Sequence, residues 1–177
     1  MGGIDKGLQM FRNRALIEFV LERTLPQVTD ILINANQNRR RYEAFGYKVI
    51  GDLVSGYAGP LAGLHSALSA ASHDLVLTVP CDSPFLPADL AVRLEHALRT
   101  QPADVAVART GRQAHPVFCL VRRALLPHLT NFLDGGGRKI DAWYADLRVV
   151  EVAFDDQPEA FANFNTLAEL HAAEQAD

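Results

Sequence analysis

The sequence has 177 residues, of which 49% are hydrophobic and 21% are charged, and its formal net charge is −4. A chain of this length can bury a substantial core, so we expect one domain over residues 1–177. The acidic balance argues against broad binding of nucleic acid, which needs clustered Lys and Arg, but it allows a local basic pocket for a small anionic substrate.

Helical patterns and apolar, β-branched runs alternate along the chain. Helical spacing predicts a first helix over Leu16–Arg23, a Leu- and Ala-rich stretch predicts a second over Leu61–Ala71, and a proline suited to a first turn opens a third over Pro87–Leu98. Six runs are predicted as strands: Asp30–Ala35, Tyr47–Ile50, Asp74–Pro80, Ala103–Ala108, Pro116–Val121 and Arg148–Phe154. This alternation predicts a layered α/β fold.

The run Leu75–Val79 is almost entirely apolar. Such a run fits a strand that is covered on both faces, as in a mostly parallel sheet. Open sheets of this kind usually bind their ligands in the loops at the carboxyl ends of the strands. The Gly- and Pro-rich segments of the sequence fall in such loops.

The two cysteines, Cys81 and Cys119, lie far apart in apolar stretches. They support neither a disulfide framework nor a zinc cluster, and we expect both to be core or near-core thiols. No apolar run approaches the roughly 18 residues of a membrane-spanning helix, so we expect a soluble, cytoplasmic protein.

Two glycine-containing segments are candidate ligand loops. In Met1–Lys6, two glycines allow close approach of the backbone and a lysine follows, which suits a loop that binds phosphate. Asp52 precedes the tight turn Gly59–Gly63, which leads into the second predicted helix. A flexible terminus and a rigid structural corner are the alternative interpretations of these two segments.

Asp82 gives the sharpest chemical signal, because it follows a buried strand and is flanked by Pro80 and Pro84. Prolines would hold the carboxylate still, and Mg²⁺ prefers hard oxygen ligands, commonly one or two carboxylates together with substrate phosphates and water. Capping of the next turn by the side-chain oxygen is the structural alternative. On residue chemistry alone both interpretations stay open.

Two basic segments are given structural interpretations. Gly135–Lys139 lacks the spacing of a Walker-type phosphate loop, so we reject that assignment and interpret the segment as a flexible connector between helices. The run Arg39–Arg41 is typical of a solvated helix face rather than of a site that binds nucleic acid.

Taken in order, the motifs resemble those of the molybdenum cofactor guanylyltransferase family. The stretches that carry the resemblance are Met1–Lys6, Ile33–Asn36, Gly59–Gly63, Pro80–Pro84, His115–Pro116 and Asn163–Thr166, which together span nearly the whole chain. Several motifs in the right order are far more specific than any one of them. The resemblance implies a three-layer α/β, Rossmann-like fold of the nucleotide-diphospho-sugar transferase type, with a mostly parallel sheet.

The resemblance also implies roles for individual residues. Lys6 would bind the nucleotide phosphates, Asn34 and Asp52 would bind the nucleotide, and Asp82 would bind both the nucleotide and Mg²⁺. Lys6 and Asp82 would be the catalytic residues. In relatives of this fold the Asn-x-Asn stretch faces the active site, so Asn163 and Asn165 are assigned to contacts with molybdopterin or the metal. By its position, Arg138 is assigned to a contact with anionic molybdopterin, and a flexible connector between helices is the alternative for its loop.

The activity that the resemblance implies is transfer of GMP from GTP to molybdopterin with release of pyrophosphate. Other molybdenum cofactor biosynthesis proteins and molybdoenzyme chaperones are the expected partners. A cytidylyltransferase for the same cofactor, a sugar-phosphate nucleotidyltransferase and a non-catalytic molybdopterin-binding subunit are the alternatives. The sequence begins inside the family's Gly-rich signature, without the strand and Leu-Ala-Gly-Gly loop that precede it, so we expect the natural protein to be longer.

Overall fold

The computed structural model describes residues 5–54 and 59–162, which form eight strands and six α-helices. In chain order they are β1 Met10–Phe11, β2 Arg14–Ala15, α1 Leu16–Thr24, β3 Leu32–Asn34, α2 Arg39–Glu43, β4 Lys48–Ile50, α3 Pro60–Ala70, β5 Leu75–Thr78, α4 Leu90–Thr100, β6 Val105–Thr110, β7 Gln113–Arg122, α5 Leu126–Asp134, α6 Ile140–Tyr144 and β8 Val149–Ala153. Short 3₁₀ helices cover Lys6–Leu8, Leu25–Gln27, Arg123–Leu125 and Pro158–Phe161.

All six predicted strands and all three predicted helices are present. The third helix begins at Leu90 rather than at Pro87, because Pro87 lies in the turn that precedes it. Pro60 occupies the first turn of α3, where its missing N–H costs no helical hydrogen bond. The β1–β2 hairpin, α5 and α6 were not predicted, and α2 begins with the Arg39–Arg41 run that was interpreted as a solvated helix face.

The main sheet has the order β5-β7-β6-β8 and is mixed, so the expectation of a mostly parallel sheet was wrong. Strand β7 runs antiparallel to both β5 and β6, whereas β6 and β8 are parallel. The reversal follows from the connection, since Thr110 pairs with Gln113 across a two-residue turn whose Gly111 has a φ of +55°. A turn this short can only join antiparallel strands.

The main sheet is packed on both faces, which gives the three layers expected from the sequence. Along β6, Ala106 and Ala108 face a cluster that contains α4, and Val105 and Val107 face a cluster that contains α3, α5 and α6. This alternation places apolar side chains on both sides of one strand. Strand β6 is therefore the buried centre of the sheet.

A second, parallel sheet of β3 and β4 lies apart from the main sheet. Helices join the two sheets from opposite faces. On one face, α1 places Ile17 in the apolar cluster of β3 and Val20 in the cluster that packs against β5. On the other face, α3 contacts β3, β4 and β5.

A cavity of about 980 Å³ separates β3 from β5 and is lined by both strands and by the apolar sides of α1 and α3. Within the described ranges, β3 pairs only with β4, and β5 pairs only with β7, so each has one unpaired edge at this cleft. Residues Leu75–Thr78 are consequently only half-buried, although their sequence predicted cover on both faces.

Over residues 5–54 and 59–162, every helix is too short or too polar to cross a membrane. The cytoplasmic location stays a prediction.

Candidate functional site

Lys6 and Asp82, the two predicted catalytic residues, form an ion pair. Lys6 Nζ donates to Asp82 Oδ2 at 3.2 Å, although the residues are 76 positions apart. The Asp82 side chain is only 10% exposed, whereas the Lys6 side chain is 44% exposed. A carboxylate at this depth needs a hydrogen-bonding or charged partner. Removing that partner would lower the free energy of unfolding by on the order of 1–3 kcal/mol.

The local structure explains how both residues reach this position. Strand β5 ends at Thr78, and Asp82 follows in a turn between Pro80 and Pro84, whose rings restrict the backbone. Lys6 opens the 3₁₀ helix Lys6–Leu8, which holds the start of its side chain in place. The carboxylate accepts its hydrogen bond from the Lys6 ammonium group.

An aromatic cluster fixes the two loops against each other. Phe11, which is fully buried, packs edge-on against Phe85 with ring centres 6.0 Å apart and against Phe19 at 5.4 Å. Phe11 follows Lys6 by five positions, and Phe85 follows Asp82 by three. Contact between these rings therefore limits how far the lysine and the aspartate can separate.

Asn34 and Asp52, the predicted nucleotide-binding residues, also lie together. Asn34 ends β3, and its Nδ2 donates to Asp52 Oδ1 at 2.8 Å. Asn36 Nδ2 donates to the other carboxylate oxygen at 2.7 Å, and Asn36 Oδ1 accepts from the Asp52 backbone N–H at 2.8 Å. These contacts fix the orientation of the Asp52 carboxylate. No role had been predicted from the motifs for the Asn36 side chain.

Gly63 leaves the space that the Asn34 amide occupies beside α3. A Cβ atom at Gly63 would lie 2.5 Å from Asn34 Nδ2, which is closer than real Cβ contacts allow. The first turn of α3 therefore approaches Asn34 because residue 63 has no side chain. The sequence interpretation of Gly59–Gly63 as a tight turn did not include this contact.

Both residue pairs lie at one edge of the fold. Asn34 is the last residue of β3, Asp52 follows the carboxyl end of β4, and Asp82 follows the carboxyl end of β5. Helix α3 starts beside Asn34 and leads back to the beginning of β5, so β5 ends at the same edge. Asn34, Asp52 and Cys81 line the cleft, which places the neighbour of Asp82 at its wall.

The ligand set at this edge suits a hard cation that shares its coordination with a substrate. The described residues contain no group of three or more His, Cys, Asp or Glu side chains able to hold a metal ion. Asp82 offers one carboxylate, and Mg²⁺ commonly binds one or two protein carboxylates together with phosphate oxygens and water. Lys6 lies where it could bind an adjacent phosphate.

The remaining predicted residues are placed as follows. Arg138 follows α5, and its guanidinium donates to the carbonyl oxygens of Leu133 at 2.8 Å and Gly137 at 2.6 Å. Asn163 and Asn165 lie outside the described residues. Cys119 is buried as expected, but the expectation was wrong for Cys81, which is exposed in the loop after β5.

Comparison with known proteins gives close matches in sequence. Residues 1–149 match the family described as MobA-like NTP transferase domain. The chain is 49% identical over 166 residues to a molybdenum cofactor guanylyltransferase of Shewanella halifaxensis, covering 94% of this chain and 83% of that protein. It is 50% identical over 179 residues to the protein of the same name from Ralstonia nicotianae, covering 96% and 87%.

Solved structures show the same fold. Molybdopterin-guanine dinucleotide biosynthesis protein A of Archaeoglobus fulgidus superposes with a TM-score of 0.78 at 22% identity, over 98% of this chain and 91% of that one. The 2-C-methyl-D-erythritol 4-phosphate cytidylyltransferase of Thermus thermophilus gives a TM-score of 0.72 at 18% identity, over 97% and 93%.

The contact between Gly63 and Asn34 gives a testable prediction. Gly63→Ala is expected to displace the Asn34 amide from Asp52, because the added methyl would lie 2.5 Å from Asn34 Nδ2. The side-chain amide signals of Asn34 should shift or broaden in NMR spectra. Gly51→Ala is the matched control, since its added Cβ would meet Asn36 Oδ1 at an ordinary 3.5 Å. Unchanged Asn34 signals in Gly63→Ala would refute the steric argument.

Proposed function

Because the chain belongs to the molybdenum cofactor guanylyltransferase family, we propose that it transfers GMP from GTP to molybdopterin and releases pyrophosphate. The single observation within the structure that supports this activity best is the Lys6–Asp82 pair at the carboxyl end of β5. It sets a cation and a possible metal ligand side by side, and nucleotidyl transfer requires both beside a triphosphate.

The reaction forms one phosphorus–oxygen bond and breaks another. An oxygen of the terminal phosphate of molybdopterin attacks the α-phosphorus of GTP, and the bond from that phosphorus to the bridging oxygen of the β-phosphate breaks. The electron pair of this bond leaves with pyrophosphate. Since the attacking phosphate oxygen is already anionic, the protein needs no general base, and positioning with charge neutralisation carries the catalysis.

Lys6 and Asp82 would stabilise the charges of the triphosphate in different ways. Mg²⁺, when bound, would neutralise phosphate oxygens and orient the triphosphate. Asp82 would hold this ion through its carboxylate, whose exposure is low and whose loop is braced by the Phe11–Phe85 contact. The half-exposed Lys6 ammonium would turn from Asp82 towards the phosphates and stabilise the charge that develops on the leaving group.

Asn34 and Asp52 would orient the nucleoside. The Asp52 carboxylate is held by amides from Asn34 and Asn36, yet each of its oxygens can accept a second hydrogen bond. A base edge or a ribose hydroxyl could supply that donor. The two asparagines would thereby fix the direction in which Asp52 accepts from the nucleotide.

Molybdopterin would bind through Arg138, Asn163 and Asn165 in this proposal. Arg138 would have to exchange its hydrogen bonds with Leu133 and Gly137 for contacts to the anionic pterin phosphate. Other molybdenum cofactor biosynthesis proteins and molybdoenzyme chaperones would deliver the substrate or receive the product.

Removal of the Asp82 charge tests the metal role. Asp82→Asn is expected to lower magnesium-dependent release of pyrophosphate from GTP and molybdopterin by at least about 100-fold, because an amide oxygen is a poor substitute for a carboxylate on Mg²⁺. Asp134→Asn is the control, since Asp134 is an exposed acid at the end of α5. Turnover in Asp82→Asn equal to that of the unaltered protein would rule out the role.

Base selectivity separates the proposal from its nearest alternative. A cytidylyltransferase shares this fold, so the architecture does not determine the base, which depends on a few hydrogen bonds. We expect pyrophosphate release with GTP to exceed that with CTP by at least about 100-fold in kcat/KM, measured on molybdopterin. A preference for CTP would contradict guanylyl transfer, and no release with any nucleoside triphosphate would favour a binding subunit.

A further inference from the structure

Asp5, the residue before Lys6, is bound by two side chains from the α2 region. The Tyr42 hydroxyl donates to Asp5 Oδ1, and Asn38 Nδ2 donates to Asp5 Oδ2 at 3.0 Å. Both carboxylate oxygens are therefore occupied by donors that lie more than 30 positions further along the chain. The reaction described above uses neither Tyr42 nor Asn38.

Tyr42 is fixed at its ring. It is only 4% exposed and packs in an apolar cluster with Leu8, Ile33 and Val49. Burial, followed by the hydrogen bond to Asp5, raises the pKa of Tyr42 above its usual value. A tyrosine hydroxyl is protonated at neutral pH even at its ordinary pKa, so Tyr42 can donate to Asp5. The ring thus presents one hydrogen-bond donor at a defined point beside the Lys6–Leu8 helix.

Gly7 shows how closely the Lys6 segment is held. A Cβ atom at Gly7 would lie 2.7 Å from the Tyr42 hydroxyl oxygen and 3.1 Å from the Sγ and Cβ atoms of Cys81. Cys81 directly precedes Asp82. The backbone beside Lys6 therefore lies between Tyr42 and the loop that carries Asp82.

We propose that Tyr42, with Asn38, is a positioning group for catalysis, which holds the Asp5–Lys6 backbone so that the Lys6 ammonium meets the triphosphate beside Asp82. The inference rests on the proposed nucleotidyl transfer. A lysine side chain has four rotatable bonds, and its reach is defined only if the backbone at its base is held. Two hydrogen bonds to the preceding carboxylate and the fit around Gly7 supply that restraint.

The test replaces the Tyr42 hydroxyl and keeps its ring. Tyr42→Phe is expected to lower kcat/KM for GTP in magnesium-dependent pyrophosphate release about 10-fold, the effect of losing one hydrogen bond to a charged group. Tyr47→Phe is the matched control, because Tyr47 packs against the same apolar cluster and its ring is likewise preserved. Thermal melting of each variant would verify that the fold is retained.

A second pair of variants distinguishes positioning from a structural role. In a Lys6→Ala background, Tyr42→Phe should change GTP turnover by less than about 2-fold, because Tyr42 acts through the lysine that is no longer present. Asn38→Gly, which accommodates the φ of +51° at this position, should reproduce part of the loss in the unaltered background.

The outcomes separate the two proposals. Magnesium-dependent turnover by the unaltered protein, a loss in Tyr42→Phe and no further loss in the Lys6→Ala background would support positioning. Equal turnover by Tyr42→Phe and the unaltered protein, or the same 10-fold loss with and without Lys6, would overturn it while leaving nucleotidyl transfer intact. Absence of turnover in the unaltered protein would overturn both.

Discussion

The buried carboxylate of Asp82 is the constraint on which the site depends. Asp82 is a residue with only 7% exposure, so its negative charge must be balanced by a nearby positive charge. That charge comes from Lys6, which lies 76 positions earlier in the chain. The same two charges suit binding of a metal ion and a polyphosphate. The same ion pair therefore stabilises the loop after β5 and supplies the charges that the proposed chemistry requires.

The restraints around this pair come from different parts of the fold. Phe11 and Phe85 connect the segment after Lys6 to the segment after Asp82. Tyr42 reaches Asp5 from the cluster around β3 and β4, and α3 approaches Asn34 through Gly63. The functional side chains lie in loops, but packed elements on several sides define their positions.

Much of the fold could be predicted from local sequence patterns, and the predictions that were wrong or missing have identifiable physical causes. Periodicity located the strands, because apolar, β-branched runs bounded by turn residues are local signals. It could not give the direction of β7, which is set by the two-residue turn at Gly111. Lys6, Asn34, Asp52 and Asp82 came from ordered motifs. Tyr42 was missed because its hydroxyl bonds to a residue 37 positions away.

The separation of the β3–β4 sheet from the main sheet has a consequence for substrate geometry. Asn34 and Asp52 belong to one sheet and Asp82 to the other, and no strand pairing joins the sheets within the described ranges. Helices α1 and α3, which pack against both sheets, therefore help to set the distance from the proposed nucleoside contacts to the reacting phosphate. A rotation of one sheet against the other would alter the reach of a bound triphosphate without altering any contacting side chain.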